Sequence, residues 1–433
     1  MTQEAVGLLA GYLRINTTNP PGNEAAAADF FSAIFHREKI NFTTYESAPG
    51  RVSLRAIIRG AGEKEPLILL NHMDVVPADP DAYSFDPFGG EIRNGYICGR
   101  GALDMKGIGI MQLMAFMEMK RKEVSLNRDL IFLAVADEEE GGTHGVKYLL
   151  DNYPDDFRAG LVINEGGYGI ADLFPGKTVM FISPAEKGFC WLRLSRKGPS
   201  GHASIPHSGN ALEKMIQGVN RVLSAELPVI ITPTVREYFN AVASEWAFLG
   251  PYMEDGKEET LIRVLKESGM LAVPQLNAMV RNTISLTMFS AGDKINVIPG
   301  NAEARLDVRL LPGQEPDKFI DFIRELLGDD EIIIEKLLSF PGNVSDTGNE
   351  DFNTLQAVLH ESFPGSLTPL YLLSGISDSR FFREKGVNAY GFCPVVIPMQ
   401  HLAMVHGTDE KILVDDLVKG SEIYTDIVRR LCT

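Results

Sequence analysis

The sequence predicts an α/β protein: a doubly wound, mostly parallel sheet in a larger domain, interrupted by a smaller inserted α+β domain. Three observations predict it. PLILL at 66–70, DLIFLAVA at 129–136 and GLVI at 160–163 are short, almost wholly apolar runs. That is what strands buried on both faces look like. Segments with helical spacing separate them, as in a parallel sheet with crossover helices. From about residue 188 the runs give way to alternation, and from about 340 the first pattern returns.

Residues 4–14 and 24–38 carry apolar residues at helical spacing, and NPPG at 19–22 breaks the chain between them. After the 66–70 strand, a Met- and Ile-rich helix is expected over 105–121, followed by the strands at 129–136 and 160–163. FCWLRLS at 189–195 and EARLDVRLL at 303–311 alternate like half-buried antiparallel strands. Helices are expected around 209–225, 234–268 and 315–327, and a strand at 331–335. A helix at 351–362, apolar runs near 388–397 and an amphipathic helix at 413–431 close the chain. The expected domains are therefore 1–187 with 339–433, and an insertion at 188–338.

The chain has 433 residues, consistent with two or three domains of ~100–200 residues each. Its net charge is −17, which argues against a nucleic-acid partner, since that needs a basic face. Four scattered cysteines, Cys98, Cys190, Cys393 and Cys432, form no C-x-x-C pair, so buried reduced thiols are expected. Glu4 and Arg14 break any apolar run at the start, so no signal peptide is expected. No run approaches the ~18 apolar residues of a membrane span. A cytoplasmic location follows as the default.

Five motifs carry possible chemistry. HMDVVP places His72 and Asp74 just beyond the first buried strand, two residues apart and so on one face. The carboxylate could fix the imidazole tautomer, or the two could form a satisfied pair of no catalytic consequence. GRGALDMKG at 99–107 lacks the spacing of a phosphate loop. Its Asp104 could be a ligand or a helix N-cap. ADEEEGG at 136–142 puts consecutive acids at the end of the second strand. Such a run is either a solvated loop or a set of groups whose repulsion a cation offsets. Glu165 in INEGG follows the third strand, and His406 lies in MVHGTDE. Ligands in open α/β sheets bind outside the carboxyl ends of the strands, so these groups should converge on one crevice. Two imidazoles and three carboxylates suit zinc-like cations, and one carboxylate can bridge a pair ~3.5–4 Å apart.

Taken in order, HMDVVP, GRGALDMKG and DEEEGG resemble the co-catalytic zinc amidohydrolases. That family includes aminoacylase, carboxypeptidase G, carboxypeptidase S, acetylornithine deacetylase and succinyl-diaminopimelate desuccinylase. The resemblance runs from NPPGNE at 19–24 to HGTDE at 406–410. It implies an α/β zinc domain with an inserted lid that dimerises. It also implies roles. His72 and Glu165 would complete one metal site, Glu139 and His406 the other, with Asp104 bridging. Glu138 would be the general base, and Asp74 would orient His72. GPSGHASIP at 198–206 resembles the lid segment whose histidine, here His202, stabilises the oxyanion, often in the partner's site. INVIPG at 295–300 offers Asn296 to the substrate. In LDVRLLPG, Arg309 resembles a substrate-carboxylate arginine, or is an ordinary salt-bridge residue. LLSGISDSRFF at 372–382 resembles a substrate loop that reads Gly-Gly-Thr-Ser-Asp in relatives. Gly375 keeps its backbone role there, while Ser374 and Ile376 depart from the pattern.

The resemblance implies two divalent metal ions, zinc first, with cobalt or manganese as alternatives. The implied reaction is hydrolysis of N-acyl amino acids or C-terminal peptide bonds, by a homodimer; from charge and the lack of a long apolar run, no nucleic-acid or membrane partner is expected. A strict dipeptidase, a small-metabolite deacylase and a non-catalytic metal-binding relative are the competing readings. No dinucleotide fingerprint supports a nicotinamide or flavin enzyme.

Overall fold

The computed structural model describes residues 2–253 and 257–433. The chain divides into two compact units, Met1–Pro184 with Ser345–Tyr371 and Ser377–Thr433, and Ala185–Val344 with Leu372–Ile376.

The first unit is built on one sheet. Its strands run in the order Asn41–Ala48, Arg51–Ile58, Leu130–Val135, Leu67–His72, Leu161–Phe174, Asn388–Ile397. The last four are mutually parallel, and the three apolar runs of the sequence are among them. Arg51–Ile58 joins them antiparallel and forms a hairpin with Asn41–Ala48. The outermost strand buries only Tyr45 of NFTTYESA, so it has no apolar run to reveal it. The central strands Leu67–His72 and Leu130–Val135 are buried at every position, as strands covered on both faces must be.

Helices Thr2–Leu13, Glu24–Glu38, Lys106–Arg121, Glu350–Ser362 and Val414–Cys432 follow the expected spacing. Lys106–Arg121 packs on Val414–Cys432 and on the Leu67–His72 strand. All its residues except Glu118, Lys120 and Arg121 are buried, which accounts for its Met- and Ile-rich composition. The core joins these helices to the sheet through Phe31, Phe35, Phe116, Phe132 and their neighbours.

The second unit holds a four-stranded antiparallel sheet ordered Thr283–Ser290, Asn301–Leu310, Gly188–Lys197, Ile332–Phe340. Helices Ala211–Leu223 and Pro316–Leu327 cover one face, closing a core of Leu192, Leu194, Leu306, Val308, Met215 and Ile323. The helix expected over 234–268 is instead two, Pro233–Val242 and Glu258–Glu267, with a short turn at Gly250–Tyr252. Gly250 and Pro251 interrupt the helical register there. Residues 254–256 of that expected helix lie outside the described residues. All four cysteines are free and buried. No helix among the described residues is long and apolar enough to cross a membrane.

Candidate metal centre

The site grows from the carboxyl ends of three adjacent parallel strands of the first unit. His72 ends Leu67–His72, and the Glu138–Glu140 turn follows Leu130–Val135. Glu165 lies within Leu161–Phe174, not after it. There the pairing slips: Gly391 opposes Asn164 and Phe392 opposes Gly167, leaving Glu165 and Gly166 as extra residues. Such a bulge re-aims side chains. It needs a glycine opposite, because a Cβ on Gly391 would lie 2.0 Å from the Glu165 carbonyl oxygen.

Asp104 joins the two histidines. His72 Nε2 lies 3.1 Å from Asp104 Oδ1, and His406 Nε2 lies 3.0 Å from Asp104 Oδ2. His72 Nε2 is also 3.6 Å from Glu165 Oε1, and His406 Nε2 is 3.2 Å from Glu139 Oε2. One ligand atom from each of His72, Glu138 and Glu165 falls within 4.8 Å of the others. The same holds for His72, Asp104 and Glu139. The helix-cap alternative for Asp104 does not hold: the cap position of Lys106–Arg121 is Met105, with no side-chain bond, and both Asp104 oxygens face imidazoles. The acid run is split by its turn: Glu138 is buried, while Glu140 faces solvent.

Asp74 does more than stand beside His72. His72 Nδ1 is 2.9 Å from the Asp74 backbone carbonyl and 3.5 Å from its carboxylate. The carboxylate accepts the backbone N–H groups of Glu138 (3.2 Å) and Glu139 (3.1 Å), and the Asn19 side-chain amide (2.9 Å). Asn19 also donates to Asp137, at 3.2 Å. Arg51 clamps Asp137 at 2.7 Å and Glu24 through two bonds, so the turn is fixed from below. From the other side, Arg380 donates to the Gly141 carbonyl at 2.7 Å. Asn19, Arg51, Asp137, Arg380 and Glu410 carry no spacing signal of their own, and sequence reasoning gave them no role. Only the strand order makes them neighbours of the site.

Burial and the mutual repulsion of the carboxylates dominate the electrostatics. Burial, and then the charge of Glu165, push the Glu138 carboxyl well up. Burial and the charge of Asp104 lift Glu165 to about 8. Burial resists protonation of His72, but Glu165 and the bonds to Asp104 and Asp74 outweigh it and raise its pKa. Bonds to Asp104 and Glu139 lift His406 to about 10. Among the described residues, no lysine or arginine pairs with Asp104, Glu138, Glu139 or Glu165. The shielded Glu139 Oε1 has no hydrogen-bond partner. Imidazole nitrogens and carboxylate oxygens, crowded and uncompensated, fit divalent cations of the zinc type.

The remaining predicted residues belong to the second unit. His202 and Asn296 are exposed and share one short ribbon: His202 pairs with Val297, and the Ala203 N–H bonds the Asn296 carbonyl at 3.1 Å. His202 Nδ1 is bonded by Ser204, at 2.7 Å to the hydroxyl. Arg309 forms a fork with Asp307 of its own strand, at 2.7 and 2.9 Å, leaving Nη1 shielded and unpartnered. Gly375 is exposed, and open space surrounds its Cβ position. His207, five residues beyond His202, is half-buried with both ring nitrogens shielded.

The chain is 29% identical over 377 residues to probable carboxypeptidase S-like 2 of Dictyostelium discoideum, covering 84% of this chain and 71% of that protein. It is 30% identical over 358 residues to the N-fatty-acyl-amino acid synthase/hydrolase PM20D1 of Homo sapiens, covering 81% and 71%. Among solved structures, the M20 family metallo-carboxypeptidase Sso-CP2 from Sulfolobus solfataricus shares the fold with a TM-score of 0.74, at 20% identity over 98% of each chain. The family model for peptidase family M20/M25/M40 matches residues 68–430. With that match spanning most of its length, the chain belongs to peptidase family M20/M25/M40.

Proposed function

We propose that this hydrolase cleaves the amide bond of N-acyl amino acids or the C-terminal peptide bond of short peptides, using two divalent cations. Zinc is the first choice, with cobalt or manganese as alternatives. The observation that carries the reading is the convergence of His72, Asp104, Glu138, Glu139, Glu165 and His406, with no lysine or arginine paired to the carboxylates among the described residues. The names of PM20D1 and the carboxypeptidase S-like relative support the substrate class. His72 and Glu165 would hold one cation, Glu139 and His406 the other, and Asp104 would hold both. When bound, such a pair supplies Lewis acidity, polarising the substrate carbonyl and lowering the pKa of water towards ~7.

Glu138 is the general base in this reading. His406 bonds Glu139, and neither histidine bonds Glu138, so its carboxylate is left to meet water. Burial, and then the charge of Glu165, raises its proton affinity, the direction a general base needs. Glu138 takes one proton from the attacking water as the new C–O bond forms. It returns that proton to the nitrogen as the C–N bond breaks, releasing a carboxylic acid and an amine. Such help contributes ~10²–10⁴-fold. Asp74 holds the backbone of Glu138 and Glu139 in place. His202 is assigned to the oxyanion, and Asn296, Arg309 and Gly375 to substrate binding.

The same reading makes the protein a homodimer. Among the described residues, the edge strand Thr283–Ser290 pairs on one side only, and it exposes Leu286, Met288 and Phe289. Unpaired apolar edges invite a second chain. A cytoplasmic location fits the free, buried cysteines. The test is amine release from a panel of N-acyl amino acids and dipeptides, with cations supplied and then stripped. Release that depends on cations supports the reading, and the panel profile separates acylase from dipeptidase. No release from any member, with two cations bound per chain, overturns it in favour of a non-catalytic relative.

A further inference from the structure

Glu410 closes the HGTDE motif, is fully buried, and touches none of the atoms that converge at the centre. Its carboxylate accepts four hydrogen bonds. Oε1 takes the backbone N–H groups of Leu103 (2.7 Å) and Asp104 (3.0 Å). Oε2 takes the Gly101 N–H (2.9 Å) and Arg100 Nη1 (2.7 Å). The other arm of Arg100 donates to the Gly407 carbonyl at 2.6 Å, and the Gly99 N–H donates to the Glu410 carbonyl at 2.9 Å. These bonds join two stretches of chain about 300 residues apart, each carrying one ligand candidate. Asp104 sits on one and His406 on the other.

The turn at 99–104 precedes the Lys106–Arg121 helix, so its N–H groups have no helical acceptors. A buried carboxylate collects three of them, and charged acceptors make the stronger bonds. The direction of the Asp104 side chain follows from that backbone. His406 is held at φ 59°, in the left-handed region, and the Gly407 carbonyl beyond it is fixed by Arg100 and by the Tyr83 hydroxyl (3.0 Å).

We infer that Glu410 is a positioning residue that, with Arg100, sets Asp104 and His406 against each other and so assembles the cation site formed by Asp104, Glu139 and His406. This rests on the dinuclear reading above. The site completed by His72 and Glu165 depends on Glu410 through Asp104 alone and is less sensitive to it.

The test is zinc titration of the apo protein by calorimetry, with the bound metal counted. Wild type takes two cations per chain. In Glu410→Gln the amide can accept on one side only, stranding either the Leu103 and Asp104 donors or the Gly101 and Arg100 donors. One cation then binds as in wild type, and the second binds about 10–100-fold more weakly, as for lost outer-shell partners of metal ligands. Asp351→Asn, which breaks the fork to buried Arg128 away from the centre, lowers stability but leaves both affinities unchanged. Two unchanged affinities in folded Glu410→Gln overturn this inference alone. A wild-type chain that takes fewer than two cations overturns the dinuclear reading, and this inference with it. Should Glu410→Gln fail to fold, hydrogen exchange on wild type decides. Without zinc, the amides of 99–104 and 406–410 open to exchange as one cooperative unit if the inference holds, and as two independent ones if it does not.

Discussion

Asp74→Asn exchanges one oxygen for an amide nitrogen and leaves the side chain's shape intact. The carboxylate it replaces is fully buried and has both oxygens in use. Oδ1 accepts the Glu138 N–H at 3.2 Å, and Oδ2 accepts the Glu139 N–H at 3.1 Å and the Asn19 amide at 2.9 Å. An asparagine oxygen can serve only one of these sides. Serving Glu139 and Asn19 leaves the Glu138 N–H facing an NH2 group; the reverse strands two donors. The first arrangement is therefore favoured, and the loss falls on Glu138, the residue proposed as base. A buried donor without an acceptor costs about 1–3 kcal/mol. If most of that is felt in the geometry that turnover requires, kcat/KM falls about 10–100-fold. The assay is amine release from a good N-acyl amino acid with zinc saturating and bound zinc counted. A variant within about twofold of wild type, with its full metal content, refutes the argument that Asp74 holds the turn.

Three further outcomes are expected. Lys187 is buried in the second unit, where it donates to the carbonyls of Ala278 (3.1 Å) and Arg281 (2.8 Å), and burial pushes its ammonium down to about 7. In the unfolded chain it titrates near ~10.4. Between those values the unfolded chain holds a proton that the folded chain lacks. This group therefore adds stability as pH rises from about 7 to about 10, by up to ~1.4 kcal/mol per pH unit, and that stability is lost again as pH falls through 7. Lys187→Met removes this slope, as urea midpoints at several pH values will show. Gly142→Ala, at φ 71° and with its Cβ 2.5 Å from Asp378 Oδ1, lowers stability by about 1–3 kcal/mol in the same measurement and reduces turnover. Arg309→Ala raises KM about tenfold or more for substrates with a free carboxylate and leaves their amidated analogues unaffected. Equal effects on both assign Arg309 to its fork with Asp307.

The parallel core was legible because its strands are buried on both faces and so read as apolar runs. His72 and the Glu138–Glu139 pair were legible because they stand where such runs end. The Asn41–Ala48 strand was not, since an edge strand with one buried side chain leaves no pattern. Nor was the break within 234–268 expected, although Gly250 and Pro251 were there to signal it. At the centre, the bulge that aims Glu165 depends on the register with Gly391, a partner more than 200 residues away. The contacts of Asn19, Arg51 and Glu410 likewise arise only when the strand order brings distant loops together. The sequence did point to Asp74, but it is the backbone carbonyl that lies closest to His72, while the carboxylate holds the acidic turn. A spacing of two residues cannot tell a backbone contact from a side-chain one.

In the proposed reaction Glu138 moves the proton while its neighbours hold the cations. Glu138→Gln tests it most directly, with turnover and bound zinc measured on the same preparation. Two cations per chain, native stability, and turnover at least ~10²-fold below wild type are expected. Near-native turnover with two cations bound would contradict it. Loss of a cation along with activity would make Glu138 a ligand, as its place within 4.8 Å of the donor atoms of His72 and Glu165 also permits.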